Sequence, residues 1–201
     1  EELAQRWKTG DISAFETIFH VYERRVMNVA IRMVGSLEDA EDIKQETFIR
    51  AHRSIGSFRG GKFSSWLFKI ATNLCLDHAR RICNKSVSID ELVEEANWQR
   101  DDEGINDPQN LFIRQEFSRS VKIVLASIPP HYRILLVLRH IDDMPYNEIA
   151  DVLGCSVKAL GVRLHRAREI FRERMEPFLN PDGGSVQNEV QKRKIFDIPA
   201  L

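Results

Sequence analysis

With 201 residues, 43% of them hydrophobic and 29% charged, the chain has the makeup of a globular protein long enough to bury a core without covalent staples. A net charge of −1 excludes a protein that coats nucleic acid through a wholesale basic surface. Three cysteines in no paired spacing exclude a disulfide framework and point to reduced thiols in the cytoplasm, and no apolar run approaches the ~18 residues of a membrane span, so neither a leader nor membrane insertion of its own is expected.

The periodicity predicts an all-α chain, because strand-type alternation is absent throughout. Phe15, Ile18, Phe19, Tyr22, Val26, Val29, Ala30 and Met33 recur at steps of three and four, one long apolar helical stripe ending at Gly35. Ser36 ahead of Asp39 is a capping signal for a second helix, with Ala40, Ile43, Thr47 and Ala51 inward and Phe48 beside them. Three Gly and two Ser between Ser54 and Gly61 predict a loop. A third helix follows from about Ser64 to Ile82, with Leu67, Ile70, Ala71, Leu74 and His78 inward. Further on, Phe117, Val121, Val124, Leu125 and Ile128 form an amphipathic stretch, Pro130 opens the next helix, and Asp142-Asp143 make a turn. Pro145 starts a short helix ending near Leu153, Gly154-Cys155-Ser156 is a tight turn with Ser156 as N-cap, and a last helix runs to about Met175.

Charge divides the chain more sharply than it characterises the whole. Residues 1–83 carry net +2, residues 84–110 net −6, residues 111–175 net +4 and residues 176–201 net −1. Two mildly basic helical domains, 1–83 and 111–175, are therefore joined by an acidic flexible linker, 84–110, and followed by a tail, 176–201. Extended, the linker reaches at most roughly 90 Å. The tail's end, KIFDIPAL, is either a docking peptide or a disordered terminus.

Three stretches carry candidate chemistry. In residues 145–168, PYNEIADVLGCSVKALGVRLHRAR, a short helix, a Gly-containing turn and a second helix fit the helix-turn-helix pattern. The second helix and its extension carry Lys158, Arg163, Arg166, Arg168, Arg172 and Arg174, side chains able to pair with guanine edges in a major groove. A plain helical hairpin with a solvated basic face is the alternative. In residues 56–81, Phe58, Phe63, Trp66 and Phe68 interleave with Arg59, Lys62 and Lys69, which suits unstacked single-stranded bases. Alternatively, the aromatics are core and the cations solvated. Asp39, Asp42 and Glu46 share a helical face with Gln45 beside them, as a solvated face, a protein-docking face or a metal site. Cys75, His78 and Cys83 lack the second ligand pair of a zinc site, and no nucleophile elbow, metalloprotease or phosphate-cradling motif occurs, so neither a metal, a cofactor nor an enzymatic activity is expected.

Together the motifs resemble the bacterial sigma factors of the extracytoplasmic-function group, short two-domain members of the sigma-70 family. DAEDIKQETFIRAHR (39–53), SFRGGKF (57–63) and SWLFKIATNLCLDHARR (65–81) are similar to the family's region 2, and LASIPPHYRILLVLRHIDDMPYNEIADVLGCSVKALGVRLHRAR (125–168) to its region 4. The resemblance implies that Asp39, Asp42, Gln45 and Glu46 dock on core RNA polymerase. It implies that Phe58, Arg59, Gly60, Gly61, Lys62 and Phe63 capture a flipped base of the −10 promoter element, with Trp66, Lys69 and Asn73 on the opened strand. Lys158, Arg163, His165 and Arg166 would read the −35 element of promoter DNA. The acidic linker would thread the polymerase's RNA-exit path, and an anti-sigma factor is the implied inhibitor.

The sequence departs from the family pattern at Gly61-Lys62, and at Gly161 and Val162, where a basic residue and Ser commonly read DNA. Two rivals from other classes are a stand-alone helix-turn-helix regulator and a pure protein-interaction adaptor. The first does not need the acidic helix and aromatic-basic loop, and the second does not need the basic recognition helix.

Overall fold

The computed structural model describes residues 1–83 and 108–179, and among these every regular element is helical. Most of the acidic linker and of the tail lies outside the described residues, as does the KIFDIPAL segment.

The first body opens with a short helix that the periodicity did not show, α1 (Glu2–Lys8), whose Ala4 and Trp7 are buried. Asp11 then caps α2 (Ile12–Val34), its carboxylate accepting from the Ala14 amide at 3.2 Å. At 23 residues α2 is about 35 Å long and forms the spine of the molecule. It stops at Gly35, whose φ of 84° only glycine adopts without strain. Ser36 accepts from the Asp39 amide at 3.3 Å and starts α3 (Leu37–Ser54). A single 3-10 turn, Ile55–Ser57, leads into the loop before α4 (Phe63–Cys83). Helices α2, α3 and α4 pack on one another around Val26, Val29, Met33, Phe48, Leu67 and Phe68, and α1 lies against α2.

The second body comprises α5 (Pro108–Ser127), α6 (Pro130–His140), α7 (Tyr146–Leu153) and α8 (Val157–Leu179). Pro130 occupies the first turn of α6, where its missing N–H is no loss. Pro145 is the N-cap of α7 rather than its first residue, and Gly154 ends α7 with φ 63°. The Ala159 amide donates to the Ser156 hydroxyl at 3.2 Å, fixing the start of α8. That helix runs past the expected stop at Met175 to Leu179 with Pro177 inside it. So close to the end, the proline removes few of the helix's hydrogen bonds. Leu160, Leu164, Ala167, Phe171 and Met175 form its buried stripe.

The two bodies do not stand apart. α2 packs against α5 and α6, α4 packs against α7, and one continuous apolar core runs from Val26 and Phe68 into Leu135, Leu138 and Ile149. Arg133 of α6 donates to the carbonyl of Met33 at 2.6 Å, satisfying one of the orphan acceptors at the end of α2.

Candidate nucleic-acid interface

The loop between the 3-10 turn and α4 carries two adjacent positive-φ glycines and rests on packed aromatic side chains. Gly60 and Gly61 take φ values of 97° and 84°, so the double glycine is a conformational requirement of the turn. The Phe58 amide closes the 3-10 turn on the Ile55 carbonyl at 3.0 Å. Both phenylalanines then point inward: Phe58 is 2% exposed and Phe63 4%. Their rings meet edge to face at 5.7 Å, and each lies 5.5 Å from Trp66, while Phe63 also meets Tyr22 and Trp7.

Of the two readings of these aromatics, the burial of Phe58 and Phe63 matches the core one. As folded they are the interior on which the loop rests, because two large apolar rings gain more from burial than the loop could recover by exposing them. Outside that cluster the loop presents Arg59, Gly60, Gly61 and Lys62, all exposed, and α4 presents half-buried Trp66 with exposed Lys69 and Asn73 at helical spacing on one face.

Helix α1 contributes support that sequence reasoning missed. Lys8 Nζ donates to the Phe58 carbonyl at 2.9 Å, and Trp7 Nε1 donates to His52 Nδ1 at 3.3 Å with the two rings stacked. Trp7 thereby ties α1 to the end of α3, and Lys8 ties it to the glycine loop. The sequence signal was slight: Leu3, Ala4 and Trp7 in an otherwise polar opening.

The acidic stripe lies on α3. Asp42 and Gln45 are exposed, whereas Asp39 pairs with His78 Nε2 of α4 at 3.1 Å and Glu46 with Arg50 at 2.7 Å. Exposed Leu37 and Ile49 flank this stripe, apolar residues off the buried face of α3 that the periodicity passed over. His78 is half-buried against Asp39, and Cys75 is a core residue whose thiol burial pushes up to about 12, so it stays a neutral apolar side chain. No group of His, Cys, Asp and Glu among the described residues could hold a metal ion.

In the helix-turn-helix, α8 presents Lys158, Arg163, His165 and Arg166 outward at its N-terminal half. His165 and Arg166 each approach Glu169, at 3.5 and 3.4 Å. Arg168, part of the same basic run in the sequence, turns inward instead. Its Nε donates to His140 Nε2 at 3.2 Å, and its Nη2 reaches Tyr146 at 3.4 Å, bracing α8 against α6 and α7. Burial, with Arg168 and Arg139 nearby, pulls His140 down to about 4, which keeps Nε2 free to accept. Arg174 likewise donates to the Ser127 carbonyl. Val162 is 68% exposed, the most open large apolar side chain on α8, and Gly161 has open space where a side chain would stand.

Described residues that are all helical and include a helix-turn-helix with an outward basic face have the architecture of a DNA-reading protein. Residues 18–82 match the family model for Sigma-70 region 2, and residues 120–170 match that for Sigma-70, region 4. The chain is 30% identical over 183 residues to the RNA polymerase sigma-H factor of Pseudomonas aeruginosa, covering 89% of this chain and 95% of that protein. It is 33% identical over 172 residues to the ECF RNA polymerase sigma factor SigW of Bacillus subtilis, covering 84% and 92%. Among solved structures it is similar to CnrH in complex with the cytosolic domain of CnrY, at 25% identity and a TM-score of 0.64 over 87% of this chain and 95% of that one. It shares the fold of RpoE, solved in complex with the anti-sigma factor NepR from Bartonella quintana, at 20% identity and a TM-score of 0.59 over 81% and 96%. The chain belongs to the sigma-70 family, in its extracytoplasmic-function group. It is a promoter-specificity factor for transcription initiation by RNA polymerase, and sigma factors are non-catalytic initiation factors. No helix among the described residues is long and apolar enough to cross a membrane.

Proposed function

We propose that this factor recognises two promoter elements with its two bodies and helps open the DNA at one of them. Residues 111–175 read the −35 duplex, entering the major groove with the N-terminal half of α8. Lys158, Arg163, His165 and Arg166 supply cationic and hydrogen-bonding contacts. Val162 offers an apolar surface suited to a thymine methyl group, and Gly161 beside it permits close approach of the helix. Residues 1–83 read the −10 element, with Arg59, Gly60, Gly61 and Lys62 around an extruded base and Trp66, Lys69 and Asn73 along the separated strand. Phe58 and Phe63 act from beneath, by holding the loop in shape. Extruding a base costs a few kcal/mol, which a pre-shaped pocket offsets. Asp39, Asp42, Gln45 and Glu46, with Leu37 and Ile49 beside them, form the docking face for core polymerase. The acidic segment 84–110 follows the path of RNA out of the polymerase. An anti-sigma factor inhibits the protein in the cytoplasm, and the polymerase carries out all the chemistry.

The observation that carries this reading is the pairing, in one chain, of an outward basic recognition helix with a braced glycine loop that carries exposed cations. Run-off transcription from a genomic promoter library, with core polymerase free of other sigma factors, tests it. Starts that require this protein and share two spaced upstream elements are expected. No protein-dependent starts, together with tight duplex binding in the absence of core, would instead identify a stand-alone regulator. For the docking face, charge reversal at Asp42 and Glu46 should release core polymerase without unfolding the first body.

A further inference from the structure

Helix α8 turns by ~100° per residue, so its buried stripe of Leu160, Leu164, Ala167, Phe171 and Met175 fixes which side chains stand opposite. Val162 lies roughly 180° from the mean direction of that stripe, at the crest of the outward face. It is 68% exposed. Lys158 stands one turn before it and Arg166 one turn after it, both exposed. Beside it Gly161 adds no side chain, and a Cβ at that position would meet no atom within 4 Å. The crest of the recognition helix is therefore one apolar side chain framed by cations, with an open step next to it.

An exposed valine is ordinary when taken alone. Its setting here is not, because the N-terminal turns of a recognition helix are the ones that reach base edges. Valine has neither donor nor acceptor, so it pairs with no hydrogen-bonding edge. The major groove offers one apolar feature, the C5 methyl of thymine. An apolar protein partner suits the site less well, since Val162 belongs to no contiguous apolar patch: its helical neighbours Lys158, Arg163, His165 and Arg166 are polar. Cations in those places fit the phosphates that flank a groove. Glu169, one turn beyond His165, closes the strip. It approaches His165 and Arg166 at 3.5 and 3.4 Å, and its carboxylate opposes phosphate. Base reading is thus confined to the turns from Val157 to Arg166.

We infer that Val162 is a specificity-determining residue of the −35 reader: it contacts the C5 methyl of one thymine and through that methyl selects a T·A pair at one position of the element. This inference rests on the assignment of α8 to the −35 duplex. Cytosine lacks the methyl and leaves Val162 without an apolar partner, and a purine sets a polar N7 edge against it. The missing side chain at Gly161 lets the helix settle close enough for the contact. A single methyl gives modest discrimination, about three- to fivefold. It therefore adds to the reading by Lys158, Arg163 and Arg166 and does not replace it.

Exchange of thymidine for deoxyuridine isolates that contact, because it deletes the C5 methyl and leaves every hydrogen-bonding group in place. The −35 element recovered by run-off transcription is made as synthetic promoter duplexes with each of its thymidines replaced in turn. Binding of polymerase carrying the wild-type factor is then measured on each. One replacement should weaken binding about three- to fivefold, and the others should change it little. With Val162→Ser that same replacement should cost nothing further, and with Val162→Leu, which keeps the apolar surface, the sensitivity should return. Both variants should melt and bind core as wild type does, since the side chain is largely exposed. Indifference of the wild type to every replacement, or a methyl sensitivity that survives Val162→Ser, would overturn the methyl contact while leaving the promoter reading in place. Weakened core binding by Val162→Ser would overturn it too, by making Val162 a polymerase contact. A promoter library with no start dependent on this protein would overturn the promoter reading itself, and the role of Val162 with it.

Discussion

The recognition helix α8 and the glycine loop before α4 are both candidate DNA-reading surfaces, yet they are held in shape by different physics. α8 begins at a serine cap after a left-handed glycine, and its outward cations follow from helical spacing alone once its apolar stripe is buried. The loop has no period. Its form depends on two positive-φ glycines, two buried phenylalanines, a lysine from α1 and a carboxylate from the other body. A surface on a regular element can change its readers without changing its shape. A surface on a braced loop changes shape when its braces change, even if no exposed residue is touched.

The largest expected break in that comparison is in the loop's foundation. Phe58→Ala or Phe63→Ala should cost about 3–5 kcal/mol each by leaving a cavity under the loop. Urea melts should then show polymerase binding and strand opening failing together. Unchanged stability with selective loss of opening would return the rings to the DNA. Next in size, Arg163→Ala should cost roughly 1–3 kcal/mol of discrimination at one base pair of the −35 element, with no change in melting temperature. A uniform loss over all duplexes would reassign it to the phosphate backbone. Lys8→Met should cost about 1 kcal/mol or less in stability. It should still alter base preference at the −10 element, measured by transcription from templates varied at that element, while leaving −35 preference intact. The smallest effect sharpens the contrast from the other side. Gly161→Ala meets no atom within 4 Å and has no positive φ, so it should stabilise α8 by up to about 1 kcal/mol. Calorimetry should register a rise of about 2–4 °C.

Much of the helical framework could be read from local signals. Gly35 with Ser36, and Gly154 with Ser156, mark helix ends through backbone geometry and side-chain caps that act within a few residues. Pro130 marks a start for the same reason. The missed helix α1 is seven residues long, too short to display a period, and such a helix is stable only by packing Trp7 against its neighbours. Arg168 and Arg166 look alike in a basic run. Two positions along the helix turn one toward His140 and leave the other outside.

The sequence by itself determined the longer helices and most of their ends, the helix-turn-helix and the family, because each depends on residues near one another in the chain or on a pattern of such motifs. Tertiary structure alone decided that Phe58 and Phe63 lie beneath the loop, that Lys8 pins it, and that Arg25 meets Asp142 and Lys62 meets Glu148. In a loop without periodicity, ring orientation follows from whatever apolar surface lies below. A pair of charges separated by 86 or 117 residues becomes an interaction only when packing brings the two bodies together.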